Sequence, residues 1–292
     1  MTTITTGIQA TAANTMANIH DISTESLERL VEQAFTEMNS DEEITDNEDI
    51  LEDNTNELIV TENNSRFQGA MWFEAMKNIS VTIAGLGGIG SWTALLISRL
   101  NVGKITLIDP DTIDIANMSG QLYENHDISE FKARAIRHML IRFSRYYSCN
   151  VYTNTVENCY LDGNVFICGF DNMNARKAAF NKWLNMISVS SCKEKYLFID
   201  GRLDAEDFQI FCIQGNDDYH IKKYMSEYLY ADSEVDEAPC SFKQTSYLAS
   251  MIGSFITNIF VNFVSNMEVE FCKVTAFKTS FNTSTFTLKL ED

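Results

Sequence analysis

No run of about 18 uninterrupted apolar residues occurs anywhere in the 292-residue chain, so a membrane-spanning helix is not expected. The opening Met1-Thr2-Thr3-Ile4-Thr5-Thr6 lacks the basic and then apolar pattern of a secretory signal, and the expected location is the cytoplasm. Seven cysteines, at 149, 159, 168, 192, 212, 240 and 272, make an odd set with no Cys-x-x-Cys pair. That argues against a disulfide framework, and no structural zinc is expected. Cationic residues are also scarce: 22 Lys and Arg stand against 41 Asp and Glu, for a net charge of −19. Nucleic acid and anionic membrane recruit Lys and Arg, so neither is an expected partner.

The acidity is local. Before Arg66 there are 15 acidic residues against Arg29 alone, which leaves only −5 for the rest of the chain. Within residues 1–64, Leu27, Leu30, Val31, Ala34, Phe35 and Met38 recur at helical spacing, predicting one amphipathic helix over 23–39. The stretch 41–64 is acidic and poor in aromatics, the composition of a flexible linker. From 65 to 292 the 45% apolar composition of the chain suffices for one substantial core.

In that second part strands alternate with helices. The pattern predicts strand 80–84, helix 88–101, strand 104–108, helix 129–146, strands 151–155 and 165–168, helix 173–189 and strand 196–199. A strand over 207–213, a long apolar helix over 242–264 and a closing hairpin of 268–277 with 281–290 follow. The fold class is therefore α/β: a Rossmann-like, largely parallel sheet flanked by helices, with an antiparallel C-terminal extension.

Gly85-Leu86-Gly87-Gly88-Ile89-Gly90 follows the first strand and opens a helix, where small residues let backbone N–H groups approach a phosphate. Asp109, at the end of the second strand, stands where a carboxylate binds ribose hydroxyls. Together they point to a nucleotide without naming it. An NAD-dependent oxidoreductase fits them, and the glycines alone are also compatible with mere tight strand-to-helix packing.

The next residues narrow the choice. Asp109-Pro110-Asp111 leads through Asn117-Met118-Ser119-Gly120-Gln121 to Lys132, and Phe170-Asp171-Asn172 with Arg176 follows the fourth strand. In this order the motifs resemble the ThiF/MoeB and ubiquitin-activating-enzyme family, over about Arg66 to Val264. The resemblance implies adenylation of a carboxylate by ATP and Mg2+, the carboxylate being the C-terminus of a ubiquitin-like protein or a peptide. It implies that Gly85, Gly87, Gly88 and Gly90 line ATP, with Asn117 and Gln121 shaping the same pocket. It further gives ribose to Asp109, phosphate to Lys132 and magnesium to Asp171, for which helix capping is the structural alternative. Arg66-Phe67-Gln68 is similar to the family's Arg-Gln element, implying a homodimer in which Arg66 reaches the neighbouring subunit's triphosphate.

One position departs from that pattern. Where the family's Asn-x-x-Arg-Gln carries a phosphate-contacting arginine, this chain has Gly120. Losing such a donor costs about 3 kcal/mol unless another cation replaces it; Arg134, Arg137 and Arg202 are the candidates. The same gap motivates a second reading, a non-catalytic nucleotide-binding partner in a paired activating enzyme. Many relatives pass the acyl group to a cysteine, and Cys240, just before the long apolar helix, is the candidate for that thioester. Between Gly215 and Pro239 a mobile loop is expected, whose Tyr219, Tyr224, Tyr228 and Tyr230 either grip a peptide or are simply buried.

Overall fold

The computed structural model describes residues 66–161, 163–204, 206–230, 245–268 and 273–292. The expected helix over 23–39, the linker over 41–64 and Cys240 lie outside the described residues.

A short helix α1 (Phe73–Met76) precedes β1 (Ser80–Ala84), α2 (Gly88–Ser98) and β2 (Lys104–Ile108). Then come α3 (Lys132–Ser144), β3 (Cys149–Tyr152), β4 (Val165–Cys168), α4 (Met173–Ser188) and β5 (Leu197–Asp204). The chain continues through β6 (Asp207–Gln214), α5 (Asp218–Lys223), a π turn (Tyr224–Tyr228), α6 (Ser246–Glu268), β7 (Lys278–Asn282) and β8 (Thr287–Glu291). The described strands form one eight-stranded sheet in the order β3-β2-β1-β4-β5-β6-β7-β8. Pairing is parallel from β3 through β5 and antiparallel from β5 to β8. The order reverses between β1 and β4, and that switch point opens a crevice at the strands' carboxyl ends.

The inner strands β1, β2 and β4 are buried along nearly their whole length, which is why they read as apolar runs rather than as alternations. One apolar cluster joins Ile83, Ile105, Leu107, Ile136, Leu140, Ile256 and Phe260, seating α2, α3 and α6. A second is aromatic and holds Phe166, Phe180, Trp183, Phe198, Phe211 and Tyr224. Close helix packing rests on Gly253 of α6, where a Cβ would meet Trp92 Cβ at 3.1 Å and Thr93 N at 3.2 Å. Although α6 is long and apolar enough to cross a membrane, more than half of its most apolar window is buried inside the fold. It is a core helix.

Among the described residues, the elements expected from 80 to 264 form with shifted ends. Helix α3 stops at Ser144 because Arg145 turns left-handed at φ 50°, which lets Tyr146 bury its ring and donate its hydroxyl to Val102 O at 3.0 Å. Of the expected strand over 268–277, Glu268 instead ends α6 and 273–277 are not in a strand: Asn266 binds both the amide and the carbonyl of Lys273, tying that residue to the helix end. The hairpin is instead β7 with β8. Nor is 215–230 an open loop. Tyr224 is fully buried among aromatic rings, so peptide gripping by that side chain is excluded.

Candidate functional site at the switch point

The glycines of the β1–α2 turn separate into two roles. Gly85 has φ +82°, and a Cβ there would lie 2.7 Å from Gly169 C and Phe170 N. A Cβ at Gly90 would stand 2.0 Å from Gly85 O. These two serve the close approach of the turn to α2 and to the end of β4. Gly87 is different: its Cβ would meet only Gln121 Nε2, at 3.8 Å, and it alone in Gly85–Gly90 is not buried. Beside it begin Gly88 and the first turn of α2, whose N–H groups have no acceptor within the helix. The open side of the turn is thus a face of backbone donors with no side chain in the way.

Asp109 closes the turn from β2. It is 4% exposed, and its carboxylate accepts from Leu86 N at 2.7 Å and Asp111 N at 2.9 Å. Burial pushes its carboxyl above the ordinary value, against the pull of nearby Lys132 and of the two N–H donors. Lys132 opens α3 at 8% exposure, with its Nζ 2.8 Å from Asp111 Oδ2. A cation and a carboxylate therefore meet at the carboxyl end of β2.

The segment after Asp109 is laced onto α2. Asp114 and Asn117 form a reciprocal capping box, which uses Asn117 Oδ1 on Asp114 N at 2.8 Å. Gly120 offers no side chain, and its carbonyl accepts from Trp92 Nε1 at 3.3 Å. Ser91 Oγ accepts from Leu122 N, and the Tyr123 hydroxyl donates to Leu86 O. Gln121 Oε1 is enclosed with no hydrogen-bond partner among the described residues, a polar atom left over beside Gly87. Sequence reasoning missed Trp92, Ser91 and Tyr123, because their work is to hold a loop and leaves no spacing signature.

On the β4 side the capping question resolves. Asn172, not Asp171, caps α4, its Oδ1 accepting from Ala175 N at 2.8 Å. Asp171 is exposed, and its one described side-chain bond is from Asn172 Nδ2 at 3.3 Å. Behind it Arg176 donates to Phe170 O and to Asp200 Oδ1, the latter at 2.8 Å, bracing the loop that carries Asp171. A single exposed carboxylate fits Mg2+, which takes one or two carboxylates and completes its shell with phosphate and water. No group of three His, Cys, Asp or Glu able to hold a metal occurs among the described residues.

The three candidate replacements for the arginine missing at Gly120 lie elsewhere. Arg202 is spent on structure: it bonds Asp200 Oδ2 at 2.7 Å and Tyr228 O at 2.8 Å, over the Phe211 ring. Arg134 and Arg137 border a hollow at the β3 edge of the sheet with His138, Val151 and Thr153. Arg66 is exposed at the start of the described residues.

Of the described cysteines, Cys149 and Cys212 are pushed up to about 12 by burial, and Cys168 higher still. These are packing residues rather than nucleophiles.

Comparison with known proteins fits this geometry. The structure resembles PaaA (TM-score 0.59, 14% identity, 94% of this chain and 84% of that one). It also resembles E. coli MccB crystallised with AMPCPP and MccA (TM-score 0.60, 13% identity, 80% and 71%). At these identities the likeness establishes the fold. By sequence, 89 residues are 35% identical to ubiquitin-like modifier-activating enzyme 5 of Dictyostelium discoideum, 30% of this chain and 23% of that protein. A further match, 42% over 55 residues, is to tRNA threonylcarbamoyladenosine dehydratase of Bacillus subtilis (strain 168), 19% of this chain and 22% of that one. The matched stretches span under a quarter of either relative. The ThiF family model, by contrast, runs through residues 61–289, across the glycine turn, Asp109, Lys132, Asp171 and the C-terminal hairpin, and the chain belongs to the ThiF family.

Proposed function

We propose that this chain is an ATP- and magnesium-dependent adenylyltransferase that activates a carboxylate, the C-terminus of a ubiquitin-like protein or a peptide. The observation that carries the reading is Lys132, buried near Asp109, whose carboxylate closes the glycine turn at Leu86 N, and held 2.8 Å from an exposed carboxylate of Asp111. A buried ammonium at the carboxyl end of the strand that follows a turn of open backbone donors suits a polyphosphate. Two relatives point the same way by name, one a ubiquitin-like modifier-activating enzyme and one an adenylyltransferase and sulfurtransferase of Candida albicans.

In this reading the phosphates lie over Gly87 and the first turn of α2, and the free lone pairs of Asp109 receive the ribose hydroxyls. Asn117 and Gln121 close the pocket, the latter with its unpartnered Oε1. Lys132 turns from Asp111 to the phosphates. Asp171 would hold magnesium, which supplies charge neutralisation to the triphosphate when bound. A carboxylate is already ionised at neutral pH, so it needs position more than activation. One of its oxygens bonds the α-phosphorus in line, the bond to the bridging oxygen breaks, and pyrophosphate departs with that electron pair. The product is an acyl-adenylate. In a cytoplasmic homodimer, Arg66 of one subunit would reach the neighbour's triphosphate and stand in for the cation that Gly120 cannot supply.

Magnesium-dependent ATP–pyrophosphate exchange, run with a panel of ubiquitin-like proteins and peptides, tests this directly. Exchange that needs both substrate and Asp171, and disappears in Asp171→Ala, is the expected result. ATP binding without exchange across the panel would instead favour the non-catalytic partner, the reading that Gly120 motivates.

A further inference from the structure

Helix α3 is unusual in so acidic a chain. Its 13 residues carry Lys132, Arg134, Arg137 and Arg142 together with His138, and no carboxylate. Lys132 is paired with Asp111, and Arg142 with Glu124. Arg134 reaches Glu130 only at 3.9 Å, with both side chains well exposed. Arg137 has no carboxylate partner among the described residues. At the i, i+3 spacing of one helix face, Arg134 and Arg137 stand side by side, and such like-charged neighbours repel unless an anion lies between them.

They do not project onto a flat surface. With His138 from the same helix, and Val151 and Thr153 from the edge strand, they line a hollow of about 220 Å³. Its location matters as much as its charge. Asp109 N bonds Tyr152 O at 3.1 Å, so the strand end that supplies Thr153 lies directly against the residue assigned to ribose. The hollow therefore borders the strand edge next to Asp109.

We propose that Arg134 and Arg137 form a second anion subsite that receives a phosphate monoester. Two guanidiniums offer the paired N–H forks that match phosphate oxygens, while the Thr153 hydroxyl and the His138 ring add further hydrogen-bonding groups to the lining. A second phosphate on the ribose of a bound nucleotide has the right chemistry, and so has the phosphate of a separate small molecule. The first source rests on the nucleotide reading above; the second does not.

Titration calorimetry at low ionic strength separates the cases, with inorganic phosphate, AMP and adenosine 3′,5′-bisphosphate as probes. The proteins are the full chain, Arg137→Gln, and the double variant Arg134→Gln/Arg137→Gln; thermal unfolding verifies that each variant is folded. If the phosphate rides on the nucleotide, the bisphosphate binds about tenfold tighter than AMP, and the double variant erases that advantage while AMP is unchanged. If it belongs to a separate molecule, inorganic phosphate binds the full chain and is lost from the variant, even should AMP and ATP not bind at all. Equal affinity of full chain and double variant for both phosphate and bisphosphate overturns the proposal.

Discussion

Substituting alanine at Gly87 and at Gly90 in turn separates a nucleotide site from a merely tight corner. At Gly90 the new methyl would sit 2.0 Å from Gly85 O, over 1 Å inside normal contact, and the obstacle is backbone. Either α2 or the turn must move, so a loss of about 3 kcal/mol is expected, a fall of roughly 6 to 12 °C in Tm for a domain of this size. At Gly87 the methyl meets only the end of the Gln121 side chain at 3.8 Å. The weaker helix cap that alanine makes is offset by the entropy that it removes from the unfolded chain, so stability should stay within about 1 kcal/mol. Yet that methyl would stand where the phosphates need the backbone. ATP affinity, read by calorimetry, should fall at least tenfold, on the order of 1.4 kcal/mol. A Gly87→Ala protein that unfolds like the wild type and binds ATP equally well would refute the placement of the phosphates and return the turn to packing alone.

Further outcomes follow from the same geometry. Asn172→Ala removes the α4 cap and should cost about 1 kcal/mol in chemical unfolding, whereas Asp171→Ala should leave stability unchanged while abolishing exchange. Arg202→Met strands the fully buried Asp200 with Arg176 and Tyr224 as its remaining partners, and should lower stability by about 3 kcal/mol, measured by urea denaturation. If the adenylate is passed on to Cys240, Cys240→Ser should retain pyrophosphate exchange yet lose the thiol-sensitive covalent adduct on a non-reducing gel; adduct formation that survives the substitution excludes this cysteine.

Much of the fold could be read from the chain because its inner strands are buried on both faces. Runs such as Val165–Cys168 carry no competing pattern, and helices α2 and α4 begin at glycine and asparagine signals. The reading failed where two periods overlap. Glu268 to Phe277 alternates like a strand, but Glu268 belongs to α6 and Lys273 is tied back to Asn266 by a side chain that alternation does not reveal. At the site, the types and order of Gly87, Asp109, Lys132 and Asp171 were legible as chemistry, since each must be that residue to act. Whether Asp171 or Asn172 caps α4 was not, because both residue types cap well and only geometry chooses. The commitment of Arg202 to Asp200 was likewise hidden: a buried ion pair between strand positions two apart, joined by a distant tyrosine, has no distinctive signature.

The resting partner of Lys132 bears on how a site without the Gly120 arginine can still hold a triphosphate. Lys132 is buried, but Asp111 is 65% exposed at its side chain, so the pair faces water on one side and contributes about 1 kcal/mol or less. Releasing Asp111 therefore costs little, and the ammonium already lies near Asp109 at the carboxyl end of β2. Asp111 remains nearby as a like charge to the phosphates, however, and its effect should be measurable by removal. Asp111→Asn keeps the shape and the backbone bond from Lys132 N to Asp111 O while deleting the carboxylate charge. Tighter ATP binding, by about two- to fivefold and most pronounced at low salt, is the expected result in a fluorescence titration. Weaker binding would mean that Asp111 holds Lys132 in its working position rather than competing for it, and the exchange of partners assigned to Lys132 would then be wrong.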